Sequence, residues 1–376
     1  MTNDIDAANA IPFDALLIVS YGGPEHEDEV VPFIKNVLAG RKATPEQIEK
    51  TAEKYRKIGN VSPINEECRS LISGLLQGFD ENAEFWLKDR GIEDRVGDIF
   101  GAVEQLPIYW GNLFWHPLLE DTIAHMAEDG VRRVVAFFTV PFGTEHSMRS
   151  YNGAIDAAVK KANVPDFVVR QTRLFYNHPY FISTMADRLA EKLINPIDCI
   201  KWDSNKLFFQ HVSRDMRLTA LQSALEKGGY FVLFTAHSVP VTDAQIESYQ
   251  SQMKHACSLV ADLMQFDQCG IDWDIAYQSH GGPRNSWCGP DVAELVKSIP
   301  ERFPDKKMVI VCPIGFMLEN MELIYDLDVE LRQLCESLGL EYDRTLPVSA
   351  HRKIIAMIRE LVAEVYSPLV SRRSLG

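Results

Sequence analysis

Short apolar runs recur along the chain, each five to seven residues long and closed by Gly, Pro or polar residues. They are Asp14-Ala15-Leu16-Leu17-Ile18-Val19-Ser20, Val134 to Val140, Phe167 to Thr172, Phe231 to Thr235, Trp273 to Gln278 and Met308 to Ile314. Runs of that length, rich in Val, Ile and Phe, read as strands buried on both faces. Asp98 to Val103 reads as a further strand. Between the runs the apolar spacing turns helical. Helices are predicted over Asp28–Leu38, Pro45–Ile58, Asn65–Gly78, a stretch ending near Asp129, Tyr151–Lys161 and Pro179–Leu193. The second half adds Asp243–Met264, Pro290–Ser298, Asn320–Leu338 and His351–Tyr366. Tyr109 to Pro117 reads as an aromatic loop, and Asn195 to Gln222 is the least regular stretch.

Strand and helix alternate throughout, so the sheets are expected to be parallel and covered by helices on both faces. The fold class is α/β, in two halves with a cleft between them. Residues 13–172 form the first half and residues 173–346 the second. Residues 347–370 carry a C-terminal helix that could pack on either.

The 376 residues suffice for roughly two domains of ordinary size. A net charge of −15 argues against non-specific nucleic-acid binding and against docking on an anionic membrane. The longest apolar run, Met308 to Leu318, holds 11 residues and includes Pro313 and Gly315. A membrane span needs about 20, so no integral membrane segment is expected. Residues 1–10 are polar and carry Asp4 and Asp6, unlike a signal peptide, and a cytoplasmic location is expected. The seven cysteines, at 68, 199, 257, 269, 288, 312 and 335, form no C-x-x-C pair. That spacing suits scattered buried thiols better than a disulfide framework or structural zinc.

Candidate chemistry gathers at strand ends, where open α/β sheets bind their ligands. His237 closes the run from Tyr230, Tyr21 follows the first strand, and a turn with Gly315 follows Met308–Ile314. Glu322, Asp326 and Glu330 then recur every fourth residue, in one row on a helix. Facing solvent, such a row means nothing. Facing a cleft, it offers hard-oxygen stations to a divalent cation. An imidazole opposite one carboxylate suits a borderline metal such as Fe(II), and also suits proton abstraction near neutral pH. Arg41, Lys42, Lys54, Arg56 and Lys57 form a local basic cluster in the acidic chain.

These motifs together resemble the ferrochelatases, which insert Fe(II) into a porphyrin. The resemblance runs from about residue 13 to 346. It rests on Val19 to Pro24, Tyr55 to Ile64, Tyr109 to Pro117, Met148-Arg149-Ser150-Tyr151, Phe234 to Pro240, Ala276-Tyr277-Gln278-Ser279 and Pro313 to Asp328. It is nearest to the bacterial branch that uses coproporphyrin III, without a membrane-binding extension. It implies two Rossmann-like halves of the chelatase fold, with porphyrin and ferrous iron as substrates. His237 and Glu322 would flank the iron and carry the catalysis, and Asp326 and Glu330 would conduct metal inward. Tyr21, Lys54, Tyr55, Ser62 and Tyr151 would contact the porphyrin. Lys54 stands where a relative has arginine, and so does Leu38. Asn320 stands where the family usually has histidine. The resemblance implies no resident cofactor here, because the iron–sulfur cluster of some members needs four clustered cysteines. Oligomeric state is unassigned. Rival readings are a protoporphyrin IX enzyme, a chelatase for another metal or tetrapyrrole, and a silent tetrapyrrole-binding protein on the same fold.

Overall fold

The structure, a computed structural model, describes residues 13–39, 43–77, 105–193 and 229–366. The strand expected at 98–103, the irregular stretch from 195 to 222 and the cations Arg41 and Lys42 lie outside these residues.

Two four-stranded parallel sheets organise the described chain. The first has the order β2-β1-β3-β4, from Ile108–Asn112, Ala15–Ser20, Arg133–Phe138 and Val168–Gln171. The second has the order β6-β5-β7-β8, from Asp272–Gln278, Gly229–His237, Lys306–Cys312 and Glu341–Arg344. The two orders are the same, so the second half repeats the topology of the first. In each sheet the opening strand has neighbours on both sides, because the chain steps from it to one side and then crosses back to continue on the other. Such a strand marks the crevice at its carboxyl end. Tyr21 leaves β1 at that point and His237 closes β5 there.

Central strands were legible because their residues are apolar on both faces. β1 is buried along its whole length. In β5, Phe231 and Leu233 pack on one face, beneath Leu323 and Leu327, while Val232, Phe234 and Ala236 pack on the other. Two strands differ from expectation. Tyr109 to Asn112, expected in the aromatic loop, belong with Ile108 to β2, and Glu341–Arg344, where no strand is expected, is β8. Among the described residues both are edge strands, paired with one named strand each. An edge strand needs no continuous apolar run and commonly carries polar residues. Tyr109 and Trp110 suit a half-buried pleat.

The helix expected from Asp28 begins as a 3₁₀ turn, Glu27–Glu29, and becomes α-helical over Val30–Val37. Pro45–Lys57 starts with a capping box from Thr44 and Gln47 and has Pro45 in its first turn. The Arg352–Tyr366 helix packs on both halves. Its Ile354, Ile358 and Val362 join one core with Leu16 and Phe137 of the first sheet and Phe234 and Ile310 of the second. The helices Pro179–Leu193 and Ile246–Met264 contribute to the same core. Among the described residues no helix is long and apolar enough to cross a membrane.

Candidate active site

A cleft of about 300 Å³ opens at the carboxyl ends of the two sheets. Tyr21, Tyr55, Ser62, Tyr151, His237 and Glu322, six of the residues singled out above, line it. They come from both halves and from six separate places in the chain. Lys54, Asp326 and Glu330 do not line it.

The turn after β1 delivers Tyr21. Gly22 follows with φ of +82°, and a Cβ there would lie 2.8 Å from the Cβ of Asn112, so only glycine fits. Asn65 and Asn112 bond each other and the His116 carbonyl, and Asn65 also holds Gly23 O. The tyrosine therefore leaves a rigid turn. Its ring meets Phe114 at 4.6 Å and Phe33 at 6.3 Å.

His237 is exposed to the cleft at the last residue of β5. Its Nδ1 lies 2.6 Å from the Ser238 carbonyl oxygen. A carbonyl only accepts, so Nδ1 carries the hydrogen and Nε2 keeps its lone pair. Ser238 is itself held, its N–H donating to Gln278 O and its hydroxyl to Cys288 O. The Tyr249 hydroxyl donates to His237 O at 2.9 Å. Tyr249 also lines the cleft and had no signal beyond ordinary helical spacing.

Glu322 enters from a helix that starts at Met321. The chain reaches it through Gly315, whose hypothetical Cβ would lie 2.4 Å from the Cβ of Ala236. That contact explains why this turn can press against β5. Asn320 is the capping residue: its Oδ1 accepts from the amide of Leu323 at 3.0 Å. Burial raises the carboxyl of Glu322 above its ordinary pKa, and Asp326 pushes the same way, while its own backbone amide and the Lys54 cation oppose the rise. Burial also raises the Tyr55 hydroxyl well above its usual value, with Glu322 and Tyr21 adding to the shift. Burial likewise raises Tyr151.

Leu323–Leu331 is wound as a π-helix, and Arg332–Ser337 continues it as α-helix. Closing i→i+5 bonds widens the turn, so every fourth residue still falls on nearly one row. The row runs outward from Glu322 in the cleft, through buried Asp326, to exposed Glu330. Asp326 is already engaged. Lys54 Nζ donates to its Oδ1 at 2.9 Å, and the Ser279 hydroxyl donates to its Oδ2. Ser279 holds a left-handed φ of +62° in doing so. Among the described residues no cluster of three His, Cys, Asp or Glu side chains is placed to hold a metal ion.

The basic residues are placed differently from a ring around a ligand. Lys54 faces Asp326, and Lys57 donates to the Tyr325 hydroxyl at 3.2 Å. Arg56 pairs with Glu49 at the surface. Among the described residues lining the cleft there is neither lysine nor arginine. Its polar wall instead includes Ser62, Thr139, Thr144, Ser147 and Asn320. Thr144 caps the Glu145–Ala162 helix, whose N-terminus favours anions. Nothing in the sequence pattern had singled out Thr144 or Ser147.

The arrangement joins a lone-pair-bearing imidazole, a carboxylate of raised proton affinity and a tyrosine-walled cleft. Such a set can take protons from a planar ring and receive a cation at the same place.

Comparison with known proteins agrees. The family model for ferrochelatase matches residues 13–366. A ferrochelatase of Rhodopirellula baltica is 36% identical over 367 residues, covering 97% of this chain and 90% of that one. The coproporphyrin III ferrochelatase of Frankia alni is 32% identical, covering 96% of this chain and 82% of that one. That of Mycobacterium marinum is 34% identical, covering 94% and 88%.

Proposed function

The chain belongs to the ferrochelatase family, and from that premise we propose that it inserts ferrous iron into coproporphyrin III as a step in haem biosynthesis. The observation that carries the reaction is the convergence of His237 and Glu322, from different strand ends, on one tyrosine-lined cleft. A free porphyrin holds two pyrrole N–H protons, and both must leave as the metal arrives. His237 Nε2 takes one. Glu322, whose burial favours the protonated form, takes the other or holds iron on its way in. Tyr21, Tyr55 and Tyr151 flank the macrocycle, and Ser62 contacts it.

Iron approaches along Glu330 and Asp326, and Lys54 must give way at Asp326 for a cation to use that carboxylate. Lys54 thus acts on the metal route rather than on a propionate. The carboxylates of the porphyrin meet hydroxyls and the helix N-terminus at Thr144. Several coproporphyrin III ferrochelatases among the relatives support the choice of porphyrin.

Anaerobic turnover of Fe(II) into coproporphyrin III and protoporphyrin IX, in matched detergent, tests the proposal. A higher kcat/KM with coproporphyrin III is expected. A preference for protoporphyrin IX overturns the substrate, and no insertion into either porphyrin overturns the reaction.

A further inference from the structure

We propose that Arg344 is a positioning residue for Glu322, because its guanidinium holds the Leu323–Leu331 segment in π winding and so sets where the carboxylate stands in the cleft. The inference rests on the reading of Glu322 as a reacting group, but the clamp itself lies outside the cleft.

Arg344 closes β8, and its side chain is 8% exposed. Its Nε donates to Asp328 Oδ1 at 2.9 Å and its Nη2 to Oδ2 at 2.5 Å. Nη1 donates to Glu319 Oε2 at 3.1 Å. Glu319 precedes Glu322 by three residues and Asp328 follows it by six. One planar cation therefore grips the chain on both sides of the carboxylate. A two-toothed fork fixes direction as well as distance, which an ammonium does not. The Tyr342 hydroxyl reaches Asp328 at 3.4 Å and steadies the acceptor.

The winding needs such a hold. π turns usually occur as single bulges, whereas here nine residues share the form. The amide of Arg332 still reaches back five residues, to Leu327 O. In an α-helix a residue six positions on stands about 240° round the axis. Each i→i+5 residue advances by a smaller angle, so Asp328 comes round to a different bearing. The fork meets Asp328 at that bearing, and a return to α winding would carry it away. Because the Glu319 side stays fixed to the same guanidinium, the slack would appear between them, at Glu322.

The test is the triple variant Glu319→Leu, Asp328→Leu, Arg344→Met. Arg344→Met alone would strand the Glu319 carboxylate, with only Arg332 left at Asp328, and could unfold, whereas replacing a guanidinium together with its carboxylate partners is often neutral or stabilising. For the triple variant we expect kcat for iron insertion to fall about 10- to 100-fold, since a displacement near 1 Å can cost about 10². The KM for porphyrin should stay within about threefold, because none of the three replaced residues lines the cleft. Arg344→Lys, which keeps charge but loses the fork, should fall between. A crystal structure of the triple variant should show residues 323–331 with i→i+4 bonds. Wild-type kcat in the triple variant, or retained π winding in its crystal structure, overturns the proposal. If the wild-type protein inserts no iron, the reaction reading fails alone, and the winding seen in the crystal still decides the clamp.

Discussion

At the scale of single residues, the tautomer of His237 decides the chemistry available. Its Nδ1 hydrogen is committed to the Ser238 carbonyl, leaving one nitrogen free for the cleft. His237→Ala should lower iron insertion ~10²–10⁴-fold, the usual range for a lost general base. Porphyrin affinity, measured by fluorescence quenching, should change by no more than a few-fold, since stacking against the tyrosines persists. Wild-type turnover in His237→Ala would end this reading. Asn320 raises a different question. It occupies a position usually held by histidine in the resembled motif, and its side chain caps the helix that carries Glu322. Asn320→Ala should reduce unfolding free energy by about 1 kcal/mol in a denaturant titration, and Asn320→Ser should keep most of it. Equal losses in both would show that the cap contributes nothing.

Elements add constraints that no single residue carries. His351 immediately precedes the C-terminal helix, and its Nδ1 accepts from the amide of Lys353 at 3.3 Å. Burial, with Lys353, Arg188 and Arg352 near, pushes this imidazole down to about 3. The folded state thus holds it neutral while an unfolded chain protonates near 6.5. Between those values the unfolded state binds more protons, so stability falls as pH drops from about 6.5 towards 3. His351→Asn keeps a capping acceptor without a titration. Its melting temperature should decline less than that of wild type between pH 7 and pH 4.5, as scanning calorimetry can measure. Parallel declines would remove His351 from the account. Edge strands teach a related lesson: β2 and β8 form because a central strand offers them partners, not because their own residues demand it.

Across the whole molecule, two sheets of equal topology share one core, and polar contacts join the halves beside the cleft. Lys54 and Asp326 make one such contact, 272 residues apart in sequence. The lysine is 31% exposed and the carboxylate 9%, so solvent screens one partner and leaves the other dry. Lys54→Met should cost ~1–3 kcal/mol in unfolding free energy, the usual penalty for a buried acceptor left unpaired. Lys54→Arg should restore it. If Lys54→Met unfolds at the wild-type denaturant midpoint, the pair does not join the halves energetically.

The alternation of apolar runs and helical spacing determined the α/β class and the central strands, because a strand buried on both faces must be apolar along its length. Motif order along the chain also determined the family and picked out Tyr21, Tyr55, Ser62, Tyr151, His237 and Glu322, which the fold brings to one cleft. Local pattern could not reveal the partners of the charged groups. Lys54 looks like a propionate ligand in sequence, yet it faces Asp326; Asn320 looks like a lost histidine, yet it caps a helix. A four-residue spacing looks α-helical, yet the segment winds as a π-helix. Each of these depends on groups far away in the chain, and the free energy of a charge or a strained turn is set by what surrounds it in space. Only the tertiary structure decides that.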